Sequence, residues 1–360
     1  MAASYRAQFL SLLRQNEADM TLLFSRLSRE LSGILAAAVD GPDQTISPFR
    51  HQAVRERAQA AVTRTFLVRG SAGDLKPFEV RAGTVIPTSP YMQVLWRNIQ
   101  AGTRLAVERH RDEIARRLRK APRVLARMQR ATGNPFTEAQ KVSEQLVWRP
   151  RPFATYDPAH LWVDPNGYRL SDRIWRTTVD TRRRIDLFIE QGLRDGRSAF
   201  DMARDIETFL QPGRQLIRTE IYGKDASFDA MRLARTEITR AHARADSMAA
   251  NSNPFTDTYD VVLSSSHRIT DICDQMAAGG PYPKTDTSHL PPFHPQCMDS
   301  IRWNTVSNAS EIIGELQAEV DKQRSLLLDL VGPMVMDRFV QMLLGQAEFI
   351  FPPEALPFPS

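Results

Sequence analysis

Cysteine is scarce in this chain, two in 360 residues, and so low a count excludes a disulfide-dense scaffold. Long apolar runs are missing as well, so no membrane is expected among its partners. Between Met1 and Arg14 no uninterrupted apolar stretch forms, because Arg6 and Arg14 break it. Synthesis in a cytoplasm, where thiols stay reduced, is therefore expected. The phosphate loop G-x-x-x-x-G-K-[ST], the glycine-rich dinucleotide turn, the nucleophile elbow G-x-S-x-G and the zinc-protease pattern H-E-x-x-H do not occur. No internal repeat, sustained heptad array or low-complexity tract is found either. Soluble enzymes need not carry these patterns, yet without them the usual catalytic handles are gone.

What the chain does have is arginine, with 47 Lys and Arg against 42 Asp and Glu for a net charge of +5. The excess is uneven. The stretch from Arg104 to Arg130 includes Arg109, Arg116, Arg117, Arg119, Lys120 and Arg123, against Glu108, Asp112 and Glu113. A helix loaded in this way suits the backbone of double-stranded DNA, where each neutralised phosphate releases counterions. An acidic partner protein or plain solvent would suit the same face. No aromatic residues interleave with these cations to favour stacking on single strands.

Apolar periodicity lays out the helices. Phe9, Leu12, Leu13, Met20, Leu23, Phe24, Leu27, Leu31 and Leu35 recur in steps of three and four and predict a long amphipathic helix over residues 4–39. Further helices are predicted from Pro48 to Arg69 and from Pro90 to Ala131, the latter split or kinked at Pro122, with a short strand at Phe78 to Arg81 between them. Prolines and glycines between 132 and 169 mark a joint. Beyond it, helices are predicted from Ser171 to Gln191, from Ala199 to Leu210 with Ser198 as cap, and from Asp229 to Ala250. Tyr259 to Leu263 and Asp299 to Val306 read as paired strands, followed by helices at Glu311 to Leu330 and Val335 to Phe349 and a proline-rich tail. The expected fold is mainly α with a small α+β module. Its predicted units are an amino-terminal helical region (1–131), a linker (132–169), a region (170–306) ending in a Cys/His module (259–306), carboxy-terminal helices (307–350) and the tail (351–360).

Both cysteines fall in that module, within Asp271-Ile272-Cys273-Asp274 and Pro291-Pro292-Phe293-His294-Pro295-Gln296-Cys297. A polar loop of this size has no periodic apolar face, so something besides a hydrophobic core must fix its shape. His294 and Cys297 in H-x-x-C spacing present two zinc ligands from one turn, and Cys273 supplies a third. Asp271, Asp274, His267, His289 or water would complete the set. A disulfide and two unlinked thiols satisfy the same residues.

Arg235-Thr236-Glu237 on a predicted helix, a following strand, then Arg268-Ile269-Thr270-Asp271-Ile272-Cys273 and Pro291 to Cys297 together resemble the phage head-morphogenesis, or minor head protein, family typified by the Mu head protein. The resemblance covers about residues 170–305. It implies a structural protein of the virion, not an enzyme, present in few copies near the portal vertex and working by binding rather than turnover, in head assembly with portal and other capsid or scaffold proteins and in some members with packaged DNA. Family members commonly place a second cysteine two residues after the last motif cysteine, where this chain has Met298-Asp299. Arg235 and Glu237 are expected to meet separate partners at the junction with the module, a catalytic pair being the sharper alternative. A second function class, a metal-dependent nuclease or hydrolase acting on DNA, would use His294, Cys297, Cys273 and Asp271 around a metal with one position left for water.

Overall fold

The computed structural model describes residues 4–40, 42–69, 73–81, 84–131, 170–210, 226–264, 267, 270–294 and 297–331. Among these the chain forms α1 (Tyr5–Ala36), α2 (Pro48–Phe66), α3 (Pro90–Arg117) and α4 (Pro122–Ala131), then α5 (Leu170–Arg194), α6 (Ala199–Leu210) and α7 (Ala226–Asn251). Four short strands, β1 (Val68–Arg69), β2 (Leu75–Lys76), β3 (Phe78–Arg81) and β4 (Thr84–Pro87), make two hairpins between α2 and α3. The module that follows α7 is built from β5 (Thr256–Val262), α8 (Ile272–Ala278), β6 (Tyr282–Pro283) and β7 (Ser300–Thr305), and α9 (Ala309–Val331) comes after it. The fold is thus mainly helical with a three-stranded antiparallel sheet near its carboxy-terminal end.

Local chemistry explains most element ends. Ser4 caps α1 by accepting from the Ala7 amide at 3.2 Å, and Ser89 caps α3 by accepting from the Met92 amide at the same 3.2 Å. Pro90 opens α3 and Pro122 opens α4, at first-turn positions where the missing amide hydrogen is not needed. At the end of α5, Gly196 takes φ +64° while the Arg197 amide reaches Gly192 O at 2.9 Å and the Gly196 amide reaches Leu193 O at 3.3 Å. This paired closure needs the left-handed conformation that glycine adopts without penalty. Ser198 then caps α6 through the Asp201 amide at 3.1 Å. Two predicted starts shift. α5 begins at Leu170 instead of Ser171, and α9 at Ala309 instead of Glu311. The helix predicted from Val335 and the tail lie outside the described residues.

The apolar stripe of α1 packs against α2, α3, α6 and α7, burying Phe9, Met20, Phe24, Leu31 and Leu35. The same core takes in Phe66 of α2, Tyr91 and Leu95 of α3, Ile185 and Ile189 of α5, Met202 and Ile206 of α6 and Ile238 of α7. Helices from both sides of 132–169 therefore share one interior, and the joint expected there does not divide the core. A separate small cluster joins the end of α3 and α4 to α9 through Ile114, Leu118, Val124, Ile312 and Leu316.

In the module the strand order is β6-β5-β7, with Tyr259 opposite Trp303, Val261 opposite Ile301 and Tyr259 opposite Tyr282. Alternation along each strand sends these residues to one face, where they meet Ala243 and Ala250 of α7. Behind that sheet lies a polar junction. Asp246 of α7, fully buried, accepts from Arg109 Nη1 and His110 Nε2 of α3 and from Trp303 Nε1 of β7, each at 3.0 Å. Asn253 donates to His110 Nδ1 at 3.2 Å, and Arg109 also reaches Ile301 O at 3.3 Å. Burial alone would raise the Asp246 carboxyl, but the Arg109 charge and the His110 hydrogen bond hold it well below the usual carboxylate range. Both nitrogens of His110 are engaged, so the group fastens the sheet to the helices and leaves no ring nitrogen over for proton transfer.

Candidate metal centre

The turn that brings the motif residues together is a short helix where the sequence reading expects a loop. Asp271 precedes α8 and accepts from the Cys273 amide at 2.7 Å, while the Asp274 carboxylate accepts from the Asp271 amide at 2.8 Å. This reciprocal capping box aims Cys273 inward from the first turn. Cys297 approaches from the strand side, just before β7, with its amide bonded to His294 O at 3.2 Å.

Cys273, His294, Cys297 and Asp299 converge so that one ligand atom from each lies within 4.8 Å of every other. This group is able to hold a metal ion. The two Sγ atoms are 4.0 Å apart, about twice the length of a disulfide bond, and both cysteines are free and buried. Asp299 is anchored by the Ser264 amide, which donates to its Oδ1 at 2.7 Å, and its Oδ2 faces the Cys297 thiol at 3.3 Å. Burial raises both thiols: Cys297 is pushed up to about 11, and Cys273 rises further, helped by Asp299. Near neutral pH the pair is therefore protonated until a cation displaces the protons.

Of the four ligands expected from the sequence, Cys273, His294 and Cys297 meet. Asp271 does not join them. It belongs with His267 and Cys273 in a second group, again within 4.8 Å, that shares the Cys273 sulfur. Asp299 takes the place expected for Asp271, and its signal in the sequence is its position two residues beyond Cys297. His289 is occupied elsewhere, stacked on Tyr282 at 4.2 Å and bonded to Asp286 at 2.8 Å. Asp274 bonds His267 at 2.9 Å.

The other residues singled out from the sequence lie apart from this centre. Arg235 pairs with Glu17 of α1, and burial lowers its guanidinium below the usual arginine range. Thr236 bonds back to Arg232 O at 2.7 Å, and Glu237, buried, pairs with Arg240 at 3.4 Å. Arg235 and Glu237 do meet separate partners, but Arg235 faces the helical body rather than the module. The stripe it begins continues through Ile238 to His242, whose ring lies 4.0 Å from Phe9. Along the basic stretch, Arg109 is turned inward to Asp246, and Arg116 and Arg117 pair with Glu113. Arg119, Lys120 and Arg123 are exposed around the turn from α3 to α4. The Asp246 junction escaped the sequence reading, because its members are dispersed from Arg109 to Trp303 with no motif between them.

Comparison with known family models, with curated proteins and with solved structures finds no match to this chain. Among the described residues no helix is long and apolar enough to cross a membrane.

Proposed function

We propose that the protein is a structural minor head protein of a tailed phage or prophage, and that its Cys/His module is a zinc-clamped docking end for portal or other head proteins. The resemblance carried by Arg235-Thr236-Glu237 and the two cysteine segments supports this reading. The observation that weighs most is that the two cysteine segments, with Cys273 and Cys297 separated by 24 residues, end in one ligand group of Cys273, His294, Cys297 and Asp299. The position where the family pattern has a second cysteine is Asp299, whose carboxylate is also a zinc ligand type.

Zinc suits the donor set. Tetrahedral coordination with zinc–sulfur bonds near 2.3 Å places two thiolates about 3.8 Å apart, close to the 4.0 Å found here. Four protein donors fill a tetrahedral site, which is the pattern of structural zinc, whereas catalytic zinc keeps a position for water. That favours assembly over the nuclease alternative. The exposed Arg119, Lys120 and Arg123 would partly neutralise packaged DNA.

Mass spectrometry of purified heads from a producing strain tests the assignment. The chain is expected at a few copies per particle, with fewer DNA-filled heads when Cys273→Ser replaces the wild type. Its absence from heads, or metal-dependent cleavage of duplex DNA that His294→Ala abolishes, would overturn the reading.

A further inference from the structure

Cys273 is claimed twice. Its sulfur belongs to the closed group with His294, Cys297 and Asp299, and equally to the group formed by His267 and Asp271. The Asp271 carboxylate lies between the two imidazoles, Oδ2 at 3.4 Å from His294 Nε2 and Oδ1 at 4.0 Å from His267 Nε2. The Cys273 sulfur therefore stands where two cations would share it.

We propose that the module binds two divalent cations, the second held by His267, Asp271 and the shared Cys273 sulfur. This rests on the metal-clamp reading and extends it. Metal pairs in proteins lie about 3.5–4 Å apart, a spacing that a bridging ligand sets, and each group's ligand atoms fit within 4.8 Å. The two positions differ in kind. The first has four protein donors, two of them sulfur, and is closed. The second has three, one each of nitrogen, oxygen and sulfur, with a coordination position left for water or a ligand from outside. Its own side chains, His267 and Asp271, are only partly buried, whereas Cys273 and Cys297 are fully enclosed. The second cation is thus the more exchangeable and the first to leave under a chelator.

The bridge sets the pattern of losses. Removing His267 strips the second position alone, and removing Cys273 weakens both. Asp271 also caps α8 through the Cys273 amide, so its replacement mixes folding with binding, and His267 is the cleaner probe.

The test uses the full-length protein, stripped with chelator, reloaded with Zn²⁺ and desalted, with metal counted by mass spectrometry. Two zinc ions per chain are expected for the wild type, and one for His267→Ala and for the milder His267→Gln, each checked for folding by circular dichroism. Loading with Co²⁺ gives an independent readout. The second equivalent should diminish the electron-spin signal of the first through the shared sulfur, and His267→Ala should abolish that effect. One zinc in the wild type and still one in both variants would overturn the second site while leaving the clamp intact. Two zinc ions retained in both variants would overturn its location. No zinc in the wild type would overturn the clamp itself and the pair with it.

Discussion

In the helical body, Met20, Phe24, Phe66 and Met92 are wholly enclosed by other apolar side chains, whereas the enclosed side chains of the sheet module include two thiols and Asp299. The body has long amphipathic helices to bury and is supported mainly by area, at about 25 cal/mol per Å² of apolar surface removed from water. The module has three strands, one of them only two residues long, and a helix of seven residues. A unit that small gains its shape from directional contacts: the capping box, the ligand group and the Asp246 junction that ties it to the body. Truncation should thus be felt as lost packing in the body and as stranded polar groups at the junction.

The largest expected effect is at that junction. Asp246→Ala leaves buried His110 and half-buried Arg109 beside no carboxylate, and removing one partner of a buried charged pair typically costs about 3–5 kcal/mol. Urea denaturation followed by tryptophan fluorescence should show a loss of that size, since Trp303 is one of the Asp246 donors. Phe24→Ala in the body should cost a similar 3–5 kcal/mol by opening a cavity, yet leave zinc content unchanged. If Asp246→Ala costs less than about 1 kcal/mol, the module is held by its apolar face, and the contrast between the two regions falls.

A second expected effect separates the regions by pH. His242 sits in the body against Phe9, and burial lowers its pKa from 6.5 to about 4. The unfolded chain takes up a proton on this residue below about pH 6.5, while the folded chain resists until about pH 4. Stability is therefore fully present above 6.5 and declines as pH falls toward 4, by about 3 kcal/mol from this group. Asp246 adds to the acid loss only lower, because its depressed carboxyl keeps its contribution until pH falls below the ordinary carboxylate range. Urea midpoints measured at pH 7, 5.5 and 4 should fall in that order, and His242→Gln should flatten the slope between 6.5 and 4. An unchanged slope would place the acid sensitivity outside the body.

Metal affinity of the module should move the same way with acid, for a different reason. Cys297 is raised to about 11 and Cys273 higher, so binding at the first position displaces two protons. Zinc affinity should then rise about a hundredfold per pH unit between pH 6 and 8, equivalent to about 2.7 kcal/mol per unit. Competition with a chromogenic chelator measures it. A tenfold rise per unit would mean that only one thiol ligates, and would leave the module clamped more weakly than its donor set allows.

The contrast between body and module also explains what was legible in the sequence. The stripe from Phe9 to Leu35 and the split at Pro122 could be read because helical period and proline geometry are local. So could the cap at Ser198. The convergence of Cys273, His294 and Cys297 was legible from residue type and spacing. Asp271 was expected beside His294 and Cys297, whereas it groups with His267 and Cys273, because spacing along the chain does not say which of two adjacent ligand groups an aspartate joins. α8 was hidden because seven residues hold too few turns for a period to register. The Asp246 junction depends on three elements meeting, Arg109 and His110 on one, Asp246 on another and Trp303 on a third, and no local signal announces such a meeting.

The smallest expected effect concerns the basic turn, where charge without structure misled the reading of Arg109. Arg116 and Arg117 are already paired with Glu113, so their reversal should change DNA binding little. Arg119, Lys120 and Arg123 are exposed, and reversing all three to glutamate should remove up to three phosphate contacts. Each contact contributes about 0.9 to the slope of log affinity against log salt, so the slope for duplex DNA should shrink by about 2–3. Reversal of Arg116 and Arg117 alone, compared in the same salt titration, is the control that separates charge count from availability. An equal change from both sets would show that net charge alone governs binding, and an unchanged slope on reversing Arg119, Lys120 and Arg123 would give this surface to a protein neighbour instead of DNA.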